Sequence, residues 1–472
     1  ISDLISQVRP LIFFLHFLDE GLITSMKEQT NLFAQQKLTK LRAQNKLSPN
    51  SRFRQWKTVT IAEIKKFLAI LLHMCISERP NMESHWSTDP VLSCSFCPNV
   101  LSRDRFLNIL SMFHLNDNSK QKNKGEDGFD ALYKVRPLLN EIIKKFQETY
   151  YPGECITIDE GICPFRGRVH FKVYMPNKPN KYGIKLYILA ESNTGYIWNF
   201  EVYHGKDVTI DCSAAGVVKR LLDRLSNKGH TVYIDRFYTS IPLVEDLADM
   251  NTGVVGTVMK SKKGLPKSLK KAKLKKGEQI FCRKKNVLAL RWKDKRDVWM
   301  LSSRHTADMQ TIPTRRQGIE KVKPAAVVDY NKHKASVDLL DQQLSYGVLE
   351  HKTVKWWRKL AFHMIMMAVS NACILHNTMK AKKLSTPKFI QDVCTSLVLQ
   401  TGDSLEENTA RTLKIARLSQ KHFPDRVSIS DGQKKAQRRC IVCSDKQKYL
   451  TGKAGRKDTS YPSARTVMWD CV

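Results

Sequence analysis

Two short apolar runs in this chain each close on an aspartate: Ile156 to Asp159 (ITID) and Val232 to Asp235 (VYID). Their β-branched and aromatic residues predict strands. A carboxylate set among such residues is costly to bury unless it is paired or holds a cation. In open α/β sheets, functional groups gather at the carboxyl ends of strands. Two acids closing two strands therefore predict an α/β domain with both acids in one site.

The surrounding pattern agrees. A turn signal at Tyr151-Pro152-Gly153 opens a run of strands: Cys155 to Ile162, Tyr182 to Ala190 and Tyr196 to Tyr203. An amphipathic helix over Ala214 to Leu225, a strand over His230 to Asp235 and a helix over Pro242 to Met250 follow, an order that suits a sheet with helices. Residues 1–150 read as mostly helical, with apolar residues three and four apart over Ile61 to Cys75 and Ser102 as an N-cap. From Asp329 to about Met379 the pattern is helical again, and a polar linker and a short basic tail end the chain. There are no internal repeats.

Charge limits the partner. The 79 Lys and Arg exceed the 45 Asp and Glu by 34, an excess that repels itself unless a polyanion neutralises it. Nucleic acid fits best, because phosphate neutralisation releases counterions; a solvated basic surface or an anionic membrane would also suit the charge. Twelve of the 26 residues over 260–285 are Lys or Arg and one is acidic, so this run reads as a surface for the phosphate backbone, against the alternative of a loop that is merely solvated. Lys262, Lys263, Lys270, Lys271, Lys275 and Lys276 are its candidate contacts. Leu11 to Leu18 and Met364 to Leu375 are the most apolar runs and are too short to span a bilayer, so they predict buried helix segments and no membrane. No signal peptide is evident, and the start at Ile1 points to a missing N-terminal segment.

Most of the twelve cysteines stand singly, as in a reducing compartment. Two pairs have metal-like spacing: Cys94-x-x-Cys97 and Cys440-x-x-Cys443.

A third acidic position joins the first two. Asp338 and Asp341 sit three apart in a stretch that reads as helix, so they share a face. Two strand-end aspartates and a helical one can converge on hard cations, Mg²⁺ or Mn²⁺, and a pair of ions can clamp the attacking and leaving oxygens of a phosphodiester. Each aspartate taken alone also fits a cap, a turn or a surface charge, with Arg166, Arg168 or a nearby lysine as partner.

Whole segments then resemble a known family. Ile156 to Arg168, Met175 to Tyr187, Glu191 to Gly205, Val232 to Leu243 and Asp329 to Tyr346 resemble, in order, the blocks of piggyBac-family transposases, as do Ser102 to Phe106 and Lys134 to Leu139 upstream. The resemblance implies an RNase H-like catalytic domain with an insertion, flanked by a mostly helical, two-part DNA-binding domain and followed by a short degenerate cysteine-rich tail. The implied boundaries are 1–150 and 347–401 for the helical parts, 151–259 and 325–346 for the catalytic core, 260–324 for the basic insertion, 402–434 for a linker and 435–472 for the tail.

It implies that Asp159, Asp235, Asp338 and Asp341 are the catalytic, Mg²⁺-holding acids. It further implies double-stranded DNA with terminal inverted repeats as substrate, joining at TTAA, a homodimer and a nuclear location. Two departures stand out. Ser336 replaces the family's glycine two residues before the third aspartate. In the tail, Cys440, Cys443 and Cys471 match zinc-ligand positions but Ser463 and Thr466 stand where two further cysteines belong, so three ligands remain of the four a structural zinc needs and no zinc is expected there. Cys94-x-x-Cys97 has no family counterpart and reads as structural. The intact acids favour an active transposase; the eroded tail favours the alternative, a domesticated DNA-binding protein that mobilises nothing.

Overall fold

Caps and apolar spacing set the N-terminal helices of the structure, a computed structural model that describes residues 9–176, 178–205, 211–313, 320–337, 353–380 and 383–402. Helix α1 (Pro10–Phe17) buries Phe14 and Phe17 completely. Asp19 caps α2 (Glu20–Ala43) by accepting from the Leu22 amide. Thr60 and Glu63 close a capping box at the start of α3 (Ile61–Ile76), satisfying two otherwise orphaned amides. The short α4 (Phe96–Val100) precedes α5 (Arg103–Met112), where Ser102 is the expected N-cap and accepts from the Arg105 amide. Arg105 also forks onto Glu63 through Nε at 2.6 Å and Nη2 at 2.8 Å, which pins α5 to α3. Helix α6 (Arg136–Thr149) carries Pro137 in its first turn, where the missing amide costs nothing.

Nine strands form one sheet. Strand β1 (Cys155–Pro164) pairs antiparallel with β3 (Tyr182–Glu191), whose other side takes the short β2 (Lys172–Tyr174) and β4 (Ile197–Val202). On its second side β1 runs parallel to β5 (Thr231–Ile234), and β5 runs parallel to β6 (Gly253–Thr257). Helix α7 (Ala214–Leu222) links β4 to β5, and α8 (Ile241–Asp249) links β5 to β6, the crossover that this parallel pair requires. A meander of β7 (Gln279–Lys284), β8 (Val287–Lys293) and β9 (Asp297–Ser302) joins the sheet where β9 pairs antiparallel with β6. The basic run is thus part of the fold: between β6 and β7 it holds α9 (Lys267–Lys271), whose Leu269 is fully buried, and its last residues are the edge strand β7. A separate ribbon of β10 (Met309–Pro313) and β11 (Glu320–Pro324) follows.

Helix α10 (Ala325–His333) then lies on the sheet. Its Ala326, Val327 and Tyr330 share one core with Tyr233, Val255, Leu290 and Met300. Helix α11 (Trp356–Met379) and α12 (Thr386–Leu399) return to the N-terminal helices, α11 against α1 and α6, α12 against α3. The apolar run inside α11 is longer than expected. At 24 residues the helix has the length and composition to cross a membrane, and 78% of its apolar window is buried within the protein, as befits a central core helix. Trp357 is a core anchor, 4% exposed and packed on His114 at 4.6 Å between ring centres. Asn371 of α11, fully buried, accepts from the Ile197 amide at 2.9 Å and donates to the Ile197 carbonyl at 2.8 Å, capping the backbone at the start of β4.

Candidate active site

The ladder between β1 and β5 sets the first two acids side by side. In the parallel register Thr157 is level with Tyr233 and Ile158 with Ile234, and Asp159 and Asp235 are the residues that directly follow this last pair. Neighbouring strands lie about 4.8 Å apart. One expectation needs correcting: Asp159 does not end its strand. β1 continues to Pro164 along β3, and it is the parallel pairing with β5 that ends before Asp159. Asp159 therefore sits within a strand paired to β3, whereas Asp235 opens a turn.

That turn is tightly held. Asp235 Oδ1 accepts from the Phe237 amide at 2.8 Å, and its carbonyl accepts from Thr239 Oγ1 at 2.7 Å. Ser240 then caps α8. Gly256 on β6 makes room for this arrangement: a Cβ there would stand 2.4 Å from Thr239 Oγ1 and 2.9 Å from the Ile234 carbonyl.

Glu160 belongs to the same group and went unnoticed in the sequence, although it follows Asp159 directly. It pairs with Lys185 Nζ at 3.0 Å, and both side chains are mostly shielded from solvent. Burial raises the Asp159 carboxyl to about 8, and its contact with Glu160 adds to the rise. Burial opposes ionisation of Glu160 as well, but the bond to Asp159 and the Lys185 ammonium outweigh it and hold Glu160 below its ordinary value. Asp235 is also raised, by burial first and by the Glu160 charge, against the pull of the Phe237 amide. Tyr238, 1% exposed, has its hydroxyl pushed up by burial and by the charges of Glu160 and Asp159. Asp159, Glu160 and Asp235 thus share one site with Lys185, Lys178 and Arg236, and burial raises two of the three carboxyls; such a set of oxygen donors is the kind a hard divalent ion takes.

Asp338 and Asp341 lie outside the described residues. The chain leading to them is well fixed: Ser336 and Val337 are buried, and they follow α10, whose His333 carbonyl accepts from Thr157 Oγ1 at 2.8 Å. Thr157 is two residues before Asp159 on β1, hence on the same face. Asp329 on α10 takes the Tyr233 hydroxyl at 2.8 Å and faces His305 Nε2 at 3.3 Å, a second tie to β5. Cys440, Cys443 and Cys471 also fall outside the described residues.

The six lysines leave the sheet at the same end as the acids. The β5–β6 ladder ends at Ile234 and Gly256; Asp235 follows Ile234, and the basic run begins four residues after Gly256, at Lys260. Lys263, Lys271, Lys275 and Lys276 are exposed, and Lys262 and Lys270 are half-buried, Lys270 Nζ resting 3.4 Å from the Lys262 carbonyl.

A family described as Transposase IS4 matches residues 9–373 of the chain. Human piggyBac transposable element-derived protein 2 is 26% identical over 395 residues, which is 80% of this chain and 63% of that protein. Human piggyBac transposable element-derived protein 5 is 24% identical over 400 residues, 80% of this chain and 73% of that protein. The chain therefore spans less than two thirds of the first of these relatives. The cryo-EM structure of a piggyBac transposase synaptic complex with hairpin DNA superposes with a TM-score of 0.74 at 27% identity, over 90% of this chain and 87% of that one.

Proposed function

The chain belongs to the piggyBac transposase family, and on that premise we propose that it is a DNA transposase that cuts and joins DNA by metal-dependent phosphodiester transesterification at TTAA sites. The observation that carries the reading is that Asp159 and Asp235 directly follow the last paired residues of the parallel β1 and β5, both with carboxyls raised by burial. The order β4-β3-β1-β5-β6, antiparallel on one side of β1 and parallel on the other, supports an RNase H-like core.

Asp159, Asp235, Asp338 and Asp341 are the residues that would hold Mg²⁺ or Mn²⁺. Bound there, the cation would supply an activated water or 3′-hydroxyl and stabilise the departing oxyanion. The protein's own part is positional. β1 fixes Asp159 by its pairing with β3, the Asp235–Thr239 turn limits how Asp235 can rotate, and Lys185 keeps the Glu160 charge balanced so that it does not compete for the ion. The lysines between β6 and β7 would grip the phosphate backbone of double-stranded DNA beside the acids, as their shared end of the sheet suggests. A homodimer holding two terminal inverted repeats in the nucleus completes the proposal.

The test is strand transfer of a pre-cut 3′-hydroxyl DNA end into plasmid with Mg²⁺ or Mn²⁺, comparing the wild type with Asp159→Asn. Joining at TTAA by the wild type alone supports the transposase. Tight DNA binding with no joining favours a domesticated binding protein, a reading to which the transposable element-derived human relatives lend weight.

A further inference from the structure

Cys94 and Cys97 are not an isolated pair. The fold brings His73 from α3 and His85 from the 3₁₀ turn Met82–Trp86 to the same spot, so that one ligand atom from each of the four residues lies within 4.8 Å of every other. Cys94 Sγ stands 3.3 Å from His73 Nε2. A tetrahedral zinc with bonds of about 2.0–2.3 Å holds its ligand atoms roughly 3.3–3.8 Å apart, so the cluster needs only a slight contraction to close on an ion.

We infer that His73, His85, Cys94 and Cys97 form a structural zinc site. Donor chemistry, burial and local architecture all favour it. Two thiolates and two neutral imidazoles around Zn²⁺ sum to zero charge, which suits a site where Cys97 is 0% and His85 3% exposed. Without a metal, His85 Nδ1 is buried and has no hydrogen-bond partner, an unmet cost at a site rich in donors. The Cys-x-x-Cys pair enters a helix at its second cysteine, with Cys97 in the first turn of α4, and the spacing is that of structural zinc modules. Phe96 stacks on the His73 ring at 4.7 Å and fixes its plane. Four protein ligands leave no open position, so the ion would be architectural and take no part in chemistry.

The connection 77–102 explains the need for such a site. It joins α3 to α5 with only a 3₁₀ turn and the five-residue α4 as regular structure. Within it Trp86 Nε1 donates to the Leu101 carbonyl at 2.8 Å and Arg79 Nη2 to the Ser93 carbonyl at 3.3 Å; Trp86 packs on Phe106 of α5 at 5.0 Å, and Val91 is 84% exposed. A zinc would staple this segment to α3 and hold α5 in register. The two missing partners of the cysteine pair are histidines upstream of it, out of reach of a search for a second cysteine pair.

The experiment is elemental analysis of the purified full chain, with Co²⁺ substitution as a spectroscopic probe. The expected result is one zinc per chain. It should persist in the Cys440→Ser/Cys443→Ser/Cys471→Ser variant and vanish in Cys94→Ser/Cys97→Ser. Because the latter variant could fail to fold, His85→Cys provides a second readout: it should keep one metal and add thiolate-to-Co²⁺ charge-transfer intensity to the tetrahedral spectrum. A metal-free wild type that gives no tetrahedral Co²⁺ spectrum overturns the site. So does zinc lost only from the tail variant, or a Co²⁺ spectrum that His85→Cys leaves unchanged.

Discussion

The hydroxyl of Thr157 on β1 hydrogen-bonds the carbonyl of His333 at the end of α10, at 2.8 Å and out of solvent. This bond joins the strand that carries Asp159 to the helix that leads into Asp338. Replacing Thr157 with Val keeps the shape and strands a buried carbonyl, at a cost of about 1–3 kcal/mol. Thr157→Val should unfold at a lower temperature and lose more strand-transfer activity than its remaining folded fraction explains. Activity proportional to folded protein would show that the bond serves stability alone.

Asp235→Asn should abolish metal-dependent joining and leave DNA affinity within about twofold of wild type, since the acid is assigned to the ion and the grip to the lysines. Gel-shift and strand-transfer assays on one preparation settle it. A collapse in affinity would mean that Asp235 chiefly holds the Phe237–Thr239 turn.

Cation binding should depend on pH in a defined direction. Burial, aided by Glu160, raises Asp159 to about 8, and burial raises Asp235 too. Without metal the folded chain keeps protons that the unfolded chain releases near pH 4, so this contribution to stability is complete below about 4 and declines as pH climbs toward the folded value. Mg²⁺ competes for the ionised form. The rise in melting temperature on adding Mg²⁺ should therefore grow with pH through the neutral range, and a constant rise would separate the ion from these acids.

Exchanging the exposed Lys263, Lys271, Lys275 and Lys276 for Gln should weaken DNA binding and flatten its dependence on salt. Each lost phosphate contact lowers the slope of log affinity against log salt by about 0.9. Binding isotherms across a salt series give this number directly, and an unchanged slope would leave the segment merely solvated.

Gly256→Ala tests the turn from behind. The added methyl would collide with Thr239 Oγ1 and the Ile234 carbonyl, so Asp235 must shift. Activity should fall by more than tenfold while circular dichroism stays near that of wild type; full activity would show that the turn yields without cost.

Much of the site was legible in the sequence because β-branched and aromatic runs and capping residues act locally. The strands around Asp159 and Asp235, the Ser102 cap and the start of α8 at Ser240 all follow from neighbours within a few residues. Long-range relations were hidden. That Asp159 sits inside its strand depends on β3, and the inclusion of Glu160 depends on Lys185, 25 residues on. The meeting of His73 with Cys94 depends on how 77–102 folds back, for which spacing gives no clue. The regular structure within the basic run was hidden because lysines mask the buried Leu269 and the pairing of β7 with β8.

The bond pair between Asn371 and Ile197 sets a limit on how this protein can be taken apart. An edge strand with open amides and carbonyls recruits other strands. A fragment ending before α11 would expose the start of β4 and should self-associate through it, whatever the soundness of its remaining core. Supplying 353–380 as a separate peptide should restore a monodisperse species, which makes that helix a solubility element of the sheet as well as a packing one.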